Sequence, residues 1–378
     1  MSRIRQLDGI RGFAILLVLL SHYIPQSGDR GLAGPASIPA LVWVRQLTAL
    51  TWSGVDLFFV LSGFLIGGIL IDERASDRYY RTFYARRACR ILPLYAIFLV
   101  PYLIAHSLAL WTHVSVSRLF LGSLPAWTYV VFLQNVAAGT HGSFGALWLA
   151  VTWSLAIEEQ FYVVLPPVVR SVSGRWLPWL LFCGIALAPA LRIHLLNAGG
   201  PHGPFLGYVL SPCRGDALLA GALAAYLVRR QSVLDGLRRR SRSLTTALLV
   251  LLAGYAWLTL EAPGFDSRSA NVWGRTWLAA LYVVMVVTAF VQDRGRMAAA
   301  FRNPALCWLG ARSYALYLLH LPLLGLLHDH LLSPPTHPSD ARSAVVSLLA
   351  LATTLALAAV SYRWLERPFL EWGRAYSY

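Results

Sequence analysis

The sequence contains no lysine: all 32 of its basic residues are arginine. We read that absence as base composition, without chemical meaning. Charge of either sign is scarce. It makes up 13% of the 378 residues, against roughly 25% in a typical soluble domain. Together with 57% hydrophobic residues and a mean hydropathy of +0.57, this shortage excludes an ordinary water-facing surface and points to lipid as the solvent. Only four cysteines occur, Cys89, Cys183, Cys213 and Cys307, far apart and without CxxC spacing. That excludes the usual metal and redox motifs and leaves them as packing residues. Internal repeats and low-complexity tracts are also missing.

What is present is a set of long apolar runs with arginines between them. The net charge is +15. The arginines sit in short connections, so membrane topology explains the excess better than nucleic-acid binding does. A bilayer crossing needs roughly 20 apolar residues. Such runs fall at 8–25, 52–72, 91–110, 147–168, 176–196, 207–228, 244–261, 276–292, 305–327 and 342–364. The first lacks a small-residue cleavage site and carries Arg11 and His22, so it reads as a span and not a cleaved signal. A further stretch, 119–136, is interrupted by Gly122 and Pro125 and ends in Gln134-Asn135.

Segments 72–90 and 229–242 each hold six arginines, which makes both cytoplasmic. From the outer end of the third span an odd number of crossings must bring the chain back to residue 229. The runs at 147–168, 176–196 and 207–228 supply three. The 119–136 stretch is therefore expected to be re-entrant or interfacial, buried in protein because lipid cannot satisfy irregular backbone. The expectation is an all-α polytopic membrane bundle of about ten transmembrane helices plus this re-entrant piece. It forms a single transmembrane domain over 1–378, with no separate soluble domain and both termini cytoplasmic. That arrangement puts 24 of the 32 arginines on the cytoplasmic side. The stretches 26–50 and 331–341 read as outer loops.

Ionisable residues inside spans are expensive and usually functional. Arg11 and His22 in the first span are eleven residues apart. At 100° per residue this is three turns plus about 20°, so both lie on one face, about 16 Å apart along the axis. Arg11 sits near the cytoplasmic end and His22 deeper. Histidine is the natural base near neutral pH. An interfacial arginine and a packing histidine is the competing reading. Asp56 in the second span could charge-balance a histidine or bond to backbone. Gly63 and Gly67 in the same span form a small-xxx-small face for close helix contact. Arg86, Arg87 and Arg90 open the third span, as an anionic-lipid contact or a phosphate site. The fourth span holds Glu158 and Glu159 in mid-membrane, with Ser154 one turn earlier. The two carboxylates must be protonated, hydrogen-bonded or paired with arginine, and a structural Arg–Glu tie stays open. Tyr314, Tyr317 and His320 line a slanted strip that reads as packing and pocket lining in preference to catalysis.

The runs RQLDGIRGFAILLVLLSHY, GVDLFFVLSGFLIGGIL, FYARRACRILPLY, TWSLAIEEQFY, RGDALLAGALAAYL, SYALYLLHLP and YRWLERPF together resemble the bacterial membrane-bound acyltransferase-3 family. They follow family order from residue 5 to about 370 and include the Arg-x10-His pattern at Arg11 and His22. The resemblance implies an O-acyltransferase, multi-pass in a bacterial cell membrane. It would move an acyl group, expected to be acetyl, from cytoplasmic acyl-CoA to a hydroxyl of a glycan, lipid-linked sugar or macrolide. It needs no metal or further cofactor and binds no nucleic acid. Catalysis would fall to His22, as base or transient acyl carrier, with Asp56 or Glu158 orienting the imidazole. Arg11, Arg86, Arg87, Arg90, Glu159, Ser154, Tyr314 and His320 would contact substrate. With the chain ending at residue 378, the expectation is the stand-alone form of the family. A transporter or acyl-group exporter would also combine ten helices with buried His, Asp and Glu. Such folds commonly carry inverted repeats, and none is visible here.

Overall fold

The computed structural model describes residues 4–24, 51–112, 118–261, 267–292, 295–332 and 341–378. Among them the regular structure is helical throughout. Ten helices have 17 residues or more: α1 (Arg5–Tyr23), α2 (Gly54–Asp72), α3 (Tyr79–Thr112), α4 (Thr152–Ser171), α5 (Leu177–Ala198), α6 (Ser211–Leu227), α7 (Ser241–Glu261), α8 (Arg275–Val291), α9 (Ser313–Leu331) and α10 (Ala341–Ser361). Each overlaps one of the ten apolar runs. Six stretches, Thr51–Asp72, Tyr79–Ala109, Leu177–Ala198, Ser241–Thr259, Ala270–Val291 and Arg342–Arg374, are long and apolar enough to cross a membrane. They cover α2, α3, α5, α7, α8 and α10. The other four fall outside that set: α1, α4 and α9 carry ionisable side chains along their length, and α6 has only 17 residues.

One run departs from the sequence reading. The run at 305–327 is divided at Arg312 into a short helix, Pro304–Ala311, and α9. The stretch 119–136 forms no continuous helix. It breaks into Ala126–Val130 and Gln134–His141 around Phe132, whose φ of +55° is rare for a side chain with a Cβ. The outer loops expected at 26–50 and 331–341 lie almost wholly outside the described residues.

The chain divides into two compact units. The first takes Met1–Val18, Ala49–Arg74 and Ile157–Ala311. In it α2 and α6 touch along their backbones. A Cβ on Gly63 would lie 1.9 Å from the carbonyl oxygen of Leu218, and one on Gly221 would lie 2.1 Å from that of Val60. The small-residue face expected on α2 is this contact. A Cβ on Gly310 would lie just as close to the Asp8 carbonyl oxygen of α1, at 1.9 Å.

The second unit takes Leu19–Thr48, Ala75–Ala156 and Arg312–Tyr378. Here α9 lies against α10, and α3 against the terminal helix Arg367–Arg374. All four cysteines are unbridged; Cys213 is buried, but Cys183 is exposed on α5, contrary to a packing role.

Candidate active site

The second unit brings His22 and His320 together. α1 ends one residue after His22, which leaves that imidazole accessible. His320, in the middle of α9, has no exposed surface. The rings meet edge to face with centroids 4.9 Å apart. Nδ1 of His320 lies 2.6 Å from the carbonyl oxygen of Tyr317 and 3.2 Å from that of Leu316. Carbonyls only accept, so Nδ1 carries the proton. Nε2 of His320 has no hydrogen-bond partner among the described residues. Nδ1 of His22 lies 3.1 Å from Ser21 Oγ.

Two residues that sequence reasoning missed complete this corner. The Tyr23 hydroxyl sits 3.2 Å from the His320 carbonyl oxygen and 2.9 Å from Thr354 Oγ1, tying the end of α1 to α9 and α10. Neither carries a charge or falls in a spacing pattern, so nothing along the chain marks them.

The rest of the α9 strip is committed to packing. Tyr314 donates its hydroxyl to the Ile91 carbonyl at 2.9 Å, and Tyr317 does the same to Val151 at 3.0 Å. Ser154 Oγ lies 2.5 Å from the Tyr317 hydroxyl, so this serine braces α9.

The arginines at the start of α3 face the C-terminal segment. Arg86 donates Nε to the Tyr376 carbonyl at 2.9 Å and lies 5.1 Å over the Tyr378 ring. Arg87 lies 6.0 Å over Phe83. Arg90 and Arg312 are the electrostatic neighbours of Glu366, which is buried. Part of this cluster therefore holds protein, not only a prospective phosphate.

In the first unit the buried charges form ion pairs. Asp56 meets Arg214 at 2.8 Å, with each side chain 1% exposed. Arg214 lies 5.3 Å over Tyr208, which also faces Arg275 at 4.9 Å. Arg275 donates to Asn271 Oδ1 at 2.5 Å. Arg192 pairs with Asp216 at 2.9 Å and donates to the carbonyls of Asn271 and Cys213. Thr276 bridges Arg192 and Asp216, at 2.6 and 2.8 Å. Sequence reasoning missed both arginines: Arg192 lies inside the run 176–196 and Arg275 one residue before the run 276–292. Glu158 accepts from Tyr162 at 3.2 Å, and Tyr162 lies 2.5 Å from Ser62. Glu159 stands next to it on α4, half-buried. Arg11 keeps Asp8 at 3.7 Å. Asp56 is thus engaged by an arginine and Glu158 by a tyrosine. The described side chains form no cluster able to hold a metal ion.

A family model for an acyltransferase domain matches residues 4–363. Among curated proteins, the peptidoglycan O-acetyltransferase OatA of Listeria monocytogenes is 27% identical over 97% of this chain and 56% of its own length. The O-acetyltransferase OatA of Staphylococcus aureus is 25% identical over 97% of this chain and 57% of its own. The chain thus spans little more than half the length of these relatives. No solved structure matches it.

Proposed function

Because the chain belongs to the acyltransferase-3 family, we propose that it is an integral membrane O-acyltransferase that moves an acetyl group from acyl-CoA to a hydroxyl of a glycan or a macrolide. The observation that carries this reading is the accessible His22 backed by the buried His320. A hydroxyl is a weak nucleophile until a base removes its proton, and a positioned imidazole contributes about 10²–10⁴-fold. His22 is accessible enough to meet both substrates. It acts as base in a direct transfer or accepts the acyl group itself. The names of the relatives favour acetyl as the group and a cell-wall glycan as the acceptor class.

The donor enters from the cytoplasmic side in this proposal, with both termini on that side and ten spans between them. Its phosphates meet Arg87, Arg90 and the Nη atoms of Arg86. Guanidinium groups suit phosphate because they offer planar, paired donors. The test is direct. Purified protein is incubated with labelled acetyl-CoA and a panel of hydroxyl acceptors, and surface glycans and secreted metabolites are compared by mass spectrometry with and without the chain. Transfer of label to a hydroxyl supports the reading. Export of acyl groups with no ester formed defeats it.

A further inference from the structure

The buried histidine has a fixed tautomer that the proposed reaction leaves unused. His320 gives its Nδ1 proton to two backbone carbonyls of its own helix, at 2.6 and 3.2 Å. A neutral imidazole then presents a lone pair at Nε2. That atom is buried and has no hydrogen-bond donor among the described residues. A buried acceptor left unmet is destabilising, so such an atom ordinarily has a use. The ring against it is His22, at 4.9 Å between centroids. Two imidazoles that share an N–H···N bond have centroids about 5 Å apart, given an N···N distance near 3 Å. The centroid distance is thus that of a hydrogen-bonded pair, reached when the accessible His22 ring turns its N–H toward that atom.

We infer that His320 is the positioning residue for His22. Its Nε2 lone pair accepts the Nε2–H of His22. This puts the lone pair of His22 on Nδ1, beside Ser21 Oγ, where it takes the proton of an acceptor hydroxyl that displaces the serine. The carbonyls of Leu316 and Tyr317 thereby set the tautomer of His320, and His320 sets that of His22. This is the part that a carboxylate plays in many His-based sites. Here a neutral ring of the same unit plays it. Tyr23 holds the two helices in register, because its hydroxyl reaches the His320 carbonyl and Thr354 together. The inference rests on the proposed transferase activity of His22, but not all of its test does.

Asparagine and glutamine separate the two nitrogens of His320. In His320→Asn the amide NH₂ falls near Nδ1 and keeps the bond to the helix carbonyls, but nothing accepts from His22. In His320→Gln the amide oxygen reaches the Nε2 position and can accept. The expected result is a fall in kcat of about 100-fold or more in His320→Asn, with KM for acyl-CoA unchanged, and recovery to within about tenfold of wild type in His320→Gln. The second readout is ¹⁵N-histidine NMR of the detergent-solubilised protein. A single tautomer of His22 is expected in wild type and His320→Gln, and a mixture in His320→Asn. Equal activity in both variants, or an unchanged His22 tautomer in His320→Asn, overturns the inference. If wild type shows no transfer from acyl-CoA, the functional reading fails, and the NMR comparison still decides whether His320 orients His22.

Discussion

His22 stands at the last turn of α1 with its ring open on one side and His320 on the other. His22→Ala should abolish transfer, a loss of about 10²–10⁴-fold if it is the base and more if it carries the acyl group. Expression and acyl-CoA binding should be unchanged. A variant that acylates at near wild-type rate would remove His22 from the chemistry. Arg90 is the arginine of its cluster whose described neighbour is a carboxylate, Glu366. Arg90→Ala should raise KM for acyl-CoA by about ten- to hundredfold, because a charge-assisted contact is worth on the order of 1.5–3 kcal/mol. The acceptor KM should stay constant. An unchanged donor KM in folded protein would mean that Arg90 serves Glu366 alone.

At the scale of helices, two features hold the first unit together, and each can be broken separately. The α2–α6 contact is backbone against backbone, and a side chain at Gly63 or Gly221 would collide with a carbonyl that cannot move aside. Gly63→Val should lower the thermal transition in detergent by several degrees, whereas Gly236→Val, at an open position on Gln231–Arg239, should not. The Asp56–Arg214 pair links the same two helices. Removing one partner leaves the other charge buried and alone, a cost of about 3–5 kcal/mol. Asp56→Asn should therefore unfold more easily than wild type, and Asp56→Leu combined with Arg214→Met should recover much of the loss. If Asp56→Asn keeps full stability but loses transfer, Asp56 acts in the reaction after all.

For the molecule as a whole the decisive quantity is the number of crossings. Six stretches declare themselves by length and hydropathy, and α1, α4, α6 and α9 do not. In the proposed ten-span arrangement, drawn from the arginine distribution, those four cross as well. A reporter fused after Arg240 should read cytoplasmic. One inserted between residues 331 and 341 should read external, because three crossings separate the two sites in the ten-span arrangement. The same side for both would rule that arrangement out.

The sequence by itself determined the solvent and where the long helices lie, though not their ends. Apolar length, breaks at proline and glycine, and arginine position are properties of neighbouring residues. They act locally, and all ten long helices fell where the apolar runs were. It also marked the charges that lipid should have excluded, among them Asp56, Glu158 and the arginines of α3. Partner choice was decided only by tertiary structure. His22 meets a ring almost 300 residues away, and Asp56 meets an arginine about 160 residues on. No periodicity links such positions, because the pairing energy arises only once the helices are packed and water is gone. That is why a carboxylate looked like the natural partner for His22, while packing supplied a second histidine whose tautomer its own helix backbone had fixed.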